Sequence, residues 1–286
     1  MLPPLVSPEV LRQTLDNDRA RVFDATVFLV RDAENGPYTI APGRDQYEQA
    51  HLPGASFADI SGELSDPASP FPFTVPSAEH FANAAGRLGI GDNHHVVAYS
   101  QGSPMWATRL WWLLRYFGHD GASVLDGGLP AWIASGGAVE EGTRAYPRTS
   151  FSARPRRELL ASLDDVKAIV EGAPAQLVNA LPRTAFLGEG PGAYSRPGRI
   201  PGSISLPWSE LVDPKSNRFV STETMASTFR VATLSRDEPV VAYCGGGISA
   251  TVDVFALYLA GWEPARLYDG SLTEWSAGPD LPLVTG

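Results

Sequence analysis

The chain carries one set of short motifs twice, in the same order. Val97-Ala98-Tyr99-Ser100 returns as Val241-Ala242-Tyr243-Cys244, and Asp126-Gly127 with Trp132 returns as Asp269-Gly270 with Trp275. His51-Leu52-Pro53-Gly54-Ala55 is matched by Arg199-Ile200-Pro201-Gly202-Ser203, and Ser7 and Asp24 fall against Ser162 and Asn179. The separation shrinks from roughly 155 residues near the start to roughly 143 near the end, as in two copies of one fold of which the first has longer loops. Length alone permits one large domain or two of ordinary size, and the duplication chooses two.

Each copy reads alike. A capped helix opens it, at Ser7-Pro8-Glu9 and at Ser162-Leu163-Asp164-Asp165. Short apolar strands follow at Arg21 to Ala25 and Gln176 to Ala180, then buried strands at His95 to Tyr99 and Pro239 to Tyr243. Helices come next, at Met105 to Phe117 and Ala250 to Ala260, and a last strand runs into Asp-Gly at Ser123 to Leu125 and Arg266 to Tyr268. Strands alternating with helices predict an α/β fold, two tandem domains each built on a parallel sheet flanked by helices. The expected boundaries are 1–138 for the first domain and 158–286 for the second. Between them 139–157, with its prolines and Arg144, Arg148, Arg154, Arg156 and Arg157, reads as a linker.

Composition narrows the function. At 43% hydrophobic and 19% charged the chain is too apolar for disorder. A formal net charge of -10 argues against nucleic acid, and an anionic substrate would need a local cationic pocket. The single cysteine rules out an intrachain disulfide and a Cys-rich metal site. Met1 to Val10 lacks a basic segment followed by an apolar run, and Met105 to Phe117, broken by Arg109 and Arg115, is too short to cross a bilayer. The expectation is a cytoplasmic protein with no membrane partner. Paired His94 and His95 on one strand would point to opposite faces, which reads as an exposed turn rather than a metal site.

Tyr243-Cys244-Gly245-Gly246-Gly247-Ile248-Ser249-Ala250 is the most informative stretch. The cysteine closes a buried strand at the carboxyl edge of a parallel sheet, where α/β proteins place ligands. Consecutive glycines let the backbone turn and aim N–H groups inward, and a helix N-terminus follows. These donors favour a thiolate or persulfide anion, so Cys244 is the expected catalytic nucleophile, with Gly245, Gly246, Gly247, Ile248 and Ser249 as its loop. The plain alternative is a small buried apolar side chain before a helix-entry turn.

Here the sequence resembles the tandem rhodanese sulfurtransferases, among them thiosulfate and 3-mercaptopyruvate sulfurtransferases. Cys244 to Ala250, Gly198 to Ser203, Leu125-Asp126-Gly127-Gly128-Leu129-Pro130-Ala131-Trp132 and Phe81 to Ile90 carry the resemblance, which spans nearly the whole chain. It implies that only the second domain keeps the cysteine, in agreement with Ser100 at the matching position. It also implies a Cys-Gly-Ser-Gly-Val-Thr loop in the mercaptopyruvate branch, where Gly246 replaces the serine. The family's first-domain histidine falls near Phe73, and its two donor-binding arginines fall at Leu181 and Ala185. Arg183, Arg196 and Arg199 are therefore the candidate substrate-binding residues, because a guanidinium fork suits a carboxylate or thiosulfonate. Three solvated loop arginines are the bland alternative.

The resemblance implies a donor such as 3-mercaptopyruvate or thiosulfate that gives its outer sulfur to Cys244. The persulfide would pass it to a thiol, thioredoxin-like or small, or to cyanide, with no metal and no cofactor. A Cys-dependent phosphatase would need arginine at the sixth position after the cysteine, where Ala250 stands. The remaining alternative is a catalytically weak or inactive rhodanese-like sulfur carrier or binding module.

Overall fold

The computed structural model describes residues 2–15, 17–31, 38–189, 194–262 and 264–286. The first repeat runs β1 (Leu5–Val6), α1 (Pro8–Arg12), β2 (Ala20–Asp24), β3 (Val27–Arg31), β4 (Tyr38–Pro42), α2 (Arg44–Gln49), β5 (Ser56–Phe57), α3 (Ala78–Leu88), β6 (His95–Tyr99), α4 (Met105–Tyr116), β7 (Ala122–Leu125) and α5 (Gly128–Ala134). The second runs β8 (Leu160–Ala161), α6 (Leu163–Val170), β9 (Gln176–Asn179), α7 (Arg183–Phe186), β10 (Ile204–Ser205), α8 (Thr222–Val231), β11 (Val240–Tyr243), α9 (Ala250–Leu259), β12 (Ala265–Tyr268) and α10 (Ser271–Ala277).

Both sheets are parallel and have one order, β1-β7-β6-β2-β5 in the first and β8-β12-β11-β9-β10 in the second. The expected α/β architecture is therefore present twice. The antiparallel hairpin β3-β4 belongs to the first repeat alone among the described residues and accounts for part of its extra length. The opening helices are capped as their sequences predict. Ser7 accepts the Val10 N–H, and Ser162 forms a reciprocal box with Asp165.

The two repeats share one core. The inner faces of both sheets, with α4 and α9 between them, form a continuous buried cluster, while each outer face has its own smaller core. Helices α4 and α9 meet across a pseudo-twofold axis, where the hydroxyls of Thr108 and Thr251 lie 2.7 Å apart. Trp111 packs edge-on against Phe255 at 4.7 Å, so this tryptophan is interface rather than domain core. Trp132 and Trp275 play one part in two copies. Each Nε1 donates to a carbonyl just beyond its helix, Ala138 at 2.7 Å and Pro282 at 2.8 Å.

Segment 139–157 lies along the first repeat as a strap. Thr149 donates to the Gly86 carbonyl, Arg154 and Arg156 donate through their backbone to Phe117 and Tyr116, and the Arg156 side chain forks onto Asp120. His95 begins β6 half-buried and bonds Ser123 at 2.7 Å, while His94, also half-buried, closes the turn just before the strand, so the pair straddles the turn and the strand instead of standing in an exposed turn. No described helix is long and apolar enough to cross a membrane.

Candidate active site

Cys244 follows β11, at the carboxyl edge of the second sheet, and is 2% exposed. Strand alternation sends Val241 and Tyr243 to the outer core, and Val240, Ala242 and Cys244 to the inner layer, where α9 and the first repeat lie. Three residues of the opposite connection grip the loop. The Cys244 carbonyl accepts from Leu272 N–H at 3.1 Å, and the Gly245 carbonyl accepts from both the N–H and the hydroxyl of Thr273, at 2.8 and 2.7 Å. The Ser271 hydroxyl accepts the N–H groups of Cys244 at 3.0 Å and Gly247 at 3.1 Å. Ser271 holds φ at 51°, a left-handed conformation that costs a non-glycine residue about 1–2 kcal/mol. Among the described residues, the N–H groups of Gly245, Gly246, Ile248 and Ser249 have no protein acceptor and remain available to an anion.

One of the three glycines is required by geometry, and a second lies in close contact with a neighbouring side chain. Gly247 has φ of 73°, and a side chain there would meet the Asp269 carbonyl at 2.6 Å. A Cβ at Gly245 would run into the Tyr194 hydroxyl, so the phenol closes over the loop where a side chain would otherwise stand.

The first repeat completes the site. Arg109, wholly buried on α4, donates to the Gly247 carbonyl at 3.1 Å, to Asp269 Oδ1 at 2.6 Å and to the Phe73 carbonyl. Asp269 Oδ2 accepts the Val75 N–H at 2.8 Å. Phe73, at φ of 63°, packs its ring against Trp106 at 5.4 Å. One arginine thus ties the cysteine loop, the Asp-Gly turn beside it and the apolar wall from the first domain into a single unit. The fork meets a charged acceptor and two carbonyls, which suits a guanidinium far better than an ammonium.

The sequence-predicted residues divide. Cys244, Gly245, Gly246, Gly247, Ile248 and Ser249 form one continuous loop at the sheet edge. Arg196 lies elsewhere, donating to the carbonyls of Ser276, Gly278 and Leu281. Arg199 donates to the carbonyls of Phe186 and Gly286 and stacks on the Phe186 ring at 4.3 Å. Both guanidiniums anchor the C-terminal segment. Arg183, at the start of α7 just beyond the end of β9, is exposed and has no acceptor among the described residues. Residues that sequence reasoning passed over are Arg109, Asp269, Ser271, Thr273 and Tyr194. The signal for Ser271 was readable: it stands where the first repeat has Gly128.

The two-repeat architecture is shared with known proteins. The sequence profile of the rhodanese-like domain matches residues 7–135 and again 162–278. The chain belongs to the rhodanese family. It is 32% identical to the 3-mercaptopyruvate sulfurtransferase of Escherichia coli (strain K12), over 97% of this chain and 96% of the relative. It is 33% identical to the 3-mercaptopyruvate sulfurtransferase of Homo sapiens, over 95% and 91%. It is also 33% identical to the thiosulfate sulfurtransferase of Gallus gallus, over 86% and 85%. The crystal structure of the Escherichia coli 3-mercaptopyruvate enzyme superposes with a TM-score of 0.83 at 31% identity, covering 94% of this chain and 99% of that one. The Tum1 protein of Saccharomyces cerevisiae shares the fold, with a TM-score of 0.86 at 24% identity. As a rhodanese matched along its whole length by such relatives, the chain is an enzyme of the sulfurtransferase type.

Proposed function

We propose that this rhodanese moves a sulfane sulfur from 3-mercaptopyruvate or thiosulfate to a thiol or cyanide acceptor through a persulfide on Cys244. The observation that carries the reading is the loop itself. The chain's only cysteine sits at the strand end, and four loop N–H groups around it have no acceptor among the described residues.

The chemistry follows in two displacements. The Cys244 thiolate attacks the donor's outer sulfur, a new S–S bond forms, and the donor's bond to that sulfur breaks. The electron pair leaves on sulfite from thiosulfate, or on the pyruvate methylene carbon, which then takes a proton. An acceptor thiolate next attacks the outer persulfide sulfur and returns Cys244 as the leaving thiolate. The persulfide is an anion, and the loop dipoles that suit the thiolate suit it equally.

Donor capture falls to Arg183. With Arg196 and Arg199 committed to backbone carbonyls, it has the one guanidinium of the three candidates without an acceptor among the described residues. Arg183→Ala is expected to raise KM for an anionic donor roughly tenfold to a hundredfold, the loss of one charge-assisted contact worth about 1.5–3 kcal/mol. Sulfide release from each donor with a dithiol acceptor tests both claims. Cys244→Ser should be silent with every donor, and an unchanged KM in Arg183→Ala would move the capture site elsewhere. A parent protein silent with all donors would favour the non-catalytic carrier.

A further inference from the structure

The end of the first sheet opposite Ser100 holds a cavity of about 630 Å³. Three connections meet there at the amino edge: the turn before β2, the turn before β6 and the turn between α4 and β7. The strap supplies the fourth side through Phe151, Ser152 and Arg154. Arg19 enters from the first turn and Arg154 from the strap, both exposed, and neither guanidinium has an acceptor among the described residues. The acids at the rim are already answered. Asp92 accepts the N–H and the hydroxyl of Ser152, at 2.9 and 2.7 Å, and Asp120 takes both arms of Arg156, each at 2.6 Å. The Ser152 hydroxyl first, then its N–H and the charges of Arg154 and His119, hold the Asp92 carboxyl below the usual carboxylate range. Arg154, Asp92 and His119 therefore share one electrostatic neighbourhood. His94, His95 and His119 line the same cavity, and burial keeps all three imidazoles below their ordinary range. Near neutral pH the spare positive charge is that of the two guanidiniums.

The matching groove of the second repeat, about 440 Å³, is spent differently. Arg236 donates to the Ala260 carbonyl at 2.8 Å and lies over the Trp262 ring at 5.2 Å, while Asp237 and Glu238 stand exposed beside it. One groove is self-satisfied and acidic, and the other holds two uncommitted cations on a chain whose formal net charge is -10.

We propose that the cavity at the amino edge of the first sheet binds a small dianionic oxyanion, a phosphate or sulfate group, held by Arg19 and Arg154. A guanidinium offers paired N–H donors that match two oxygens of such a group. A cavity of this size also leaves room for a small organic substituent on the anion. The site lies apart from the cysteine loop, and the inference does not rest on Cys244.

All five histidines lie in the first half of the chain, so imidazole proton–nitrogen NMR reads this cavity with no signal from the cysteine loop. Inorganic phosphate, which carries no sulfur, is titrated at low ionic strength, with sulfate as a second arm. Saturable shifts of His94, His95 and His119 are expected, with His51 and His80, which do not line the cavity, unmoved. The tighter arm names the anion. Arg19→Ala and Arg154→Ala should each weaken binding about tenfold or more, the loss of one charge-assisted contact. Arg230→Ala, on α8 of the second repeat, removes the same charge from the chain and should leave the affinity unaltered. Both cavity side chains are exposed, so the variants should melt with the parent. No saturable shift with either anion at millimolar concentration would overturn the proposal. So would an affinity that neither cavity variant lowers, or one that Arg230→Ala lowers as much.

Discussion

Ser100 and Cys244 stand at the same point of two copies of one sheet, and the loops behind them are held in opposite ways. The Ser100 hydroxyl is turned back to donate to the Ser103 carbonyl at 2.7 Å, and Gln101 plugs the turn by donating to Asp24 and Ala50. Its side chains satisfy themselves within the first repeat. The Cys244 loop instead leaves N–H groups without acceptors among the described residues and is braced from outside, by Ser271 and Thr273 on one side and by Arg109 from the other domain. The Asp-Gly turns keep their symmetry: Asp126 accepts the Phe219 N–H at 2.9 Å as Asp269 accepts that of Val75. Arg109 breaks it, because the matching position on α9 is Val252. Duplication supplied two sheets that dock face to face, and the asymmetry lies in a few side chains that let one loop be rigid without filling its own centre.

The largest effect is expected where that asymmetry is concentrated. Arg109→Leu leaves the Asp269 carboxylate buried without its partner, which typically costs about 3–5 kcal/mol. Urea unfolding should show that loss together with a collapse of kcat. A stable, active variant would mean the bracing is not needed. Ser271 comes next. Ser271→Ala strands two loop N–H groups and should cost about 2 kcal/mol, within the range for unsatisfied buried donors. Ser271→Gly installs the first repeat's residue and relieves the left-handed strain, so it should recover about 1 kcal/mol relative to alanine. Thermal melts that rank alanine above glycine would refute the strain argument.

A smaller effect separates the two halves by acid. Burial holds the His95 imidazole near 4 in the fold, against about 6.5 in an unfolded chain. The unfolded state takes up the proton first. This contribution is fully present above pH 6.5 and is lost as the pH falls towards 4. Solvent reaches the half-buried ring and screens the effect. The matching residue in the second repeat is Pro239, and all five histidines lie in the first. Acid sensitivity between those pH values should therefore appear in first-domain probes and flatten in His95→Gln, and an unaltered slope in the variant would count against it.

Much of this was legible in the sequence because it depends on local pattern. Apolar runs bounded by turn residues located β6, β11, α4 and α9 to within one or two residues, and the Gly-rich segment after a buried strand picked out Cys244. What lay hidden depends on docking. Nothing near Arg109 in sequence shows that it reaches across to Gly247 and Asp269; its setting in an apolar helix merely reads as an interruption. Arg196 and Arg199 look like anion binders by proximity in sequence, yet the C-terminal segment returns to present them with carbonyls. Ser271 falls between these cases, visible once the repeats are aligned as a side chain replacing Gly128.

The central claim is that sulfur travels on Cys244 while Ser100 is a relic of the same site. Single-turnover exposure of the parent, Ser100→Ala and Cys244→Ser to each donor without acceptor, followed by peptide mass spectrometry, tests it directly. The parent and Ser100→Ala should each gain one sulfur atom on the peptide bearing Cys244, removable by a thiol acceptor, and Cys244→Ser should gain none. Sulfur release by Cys244→Ser, or turnover by the parent with no sulfur bound at Cys244, would contradict the account.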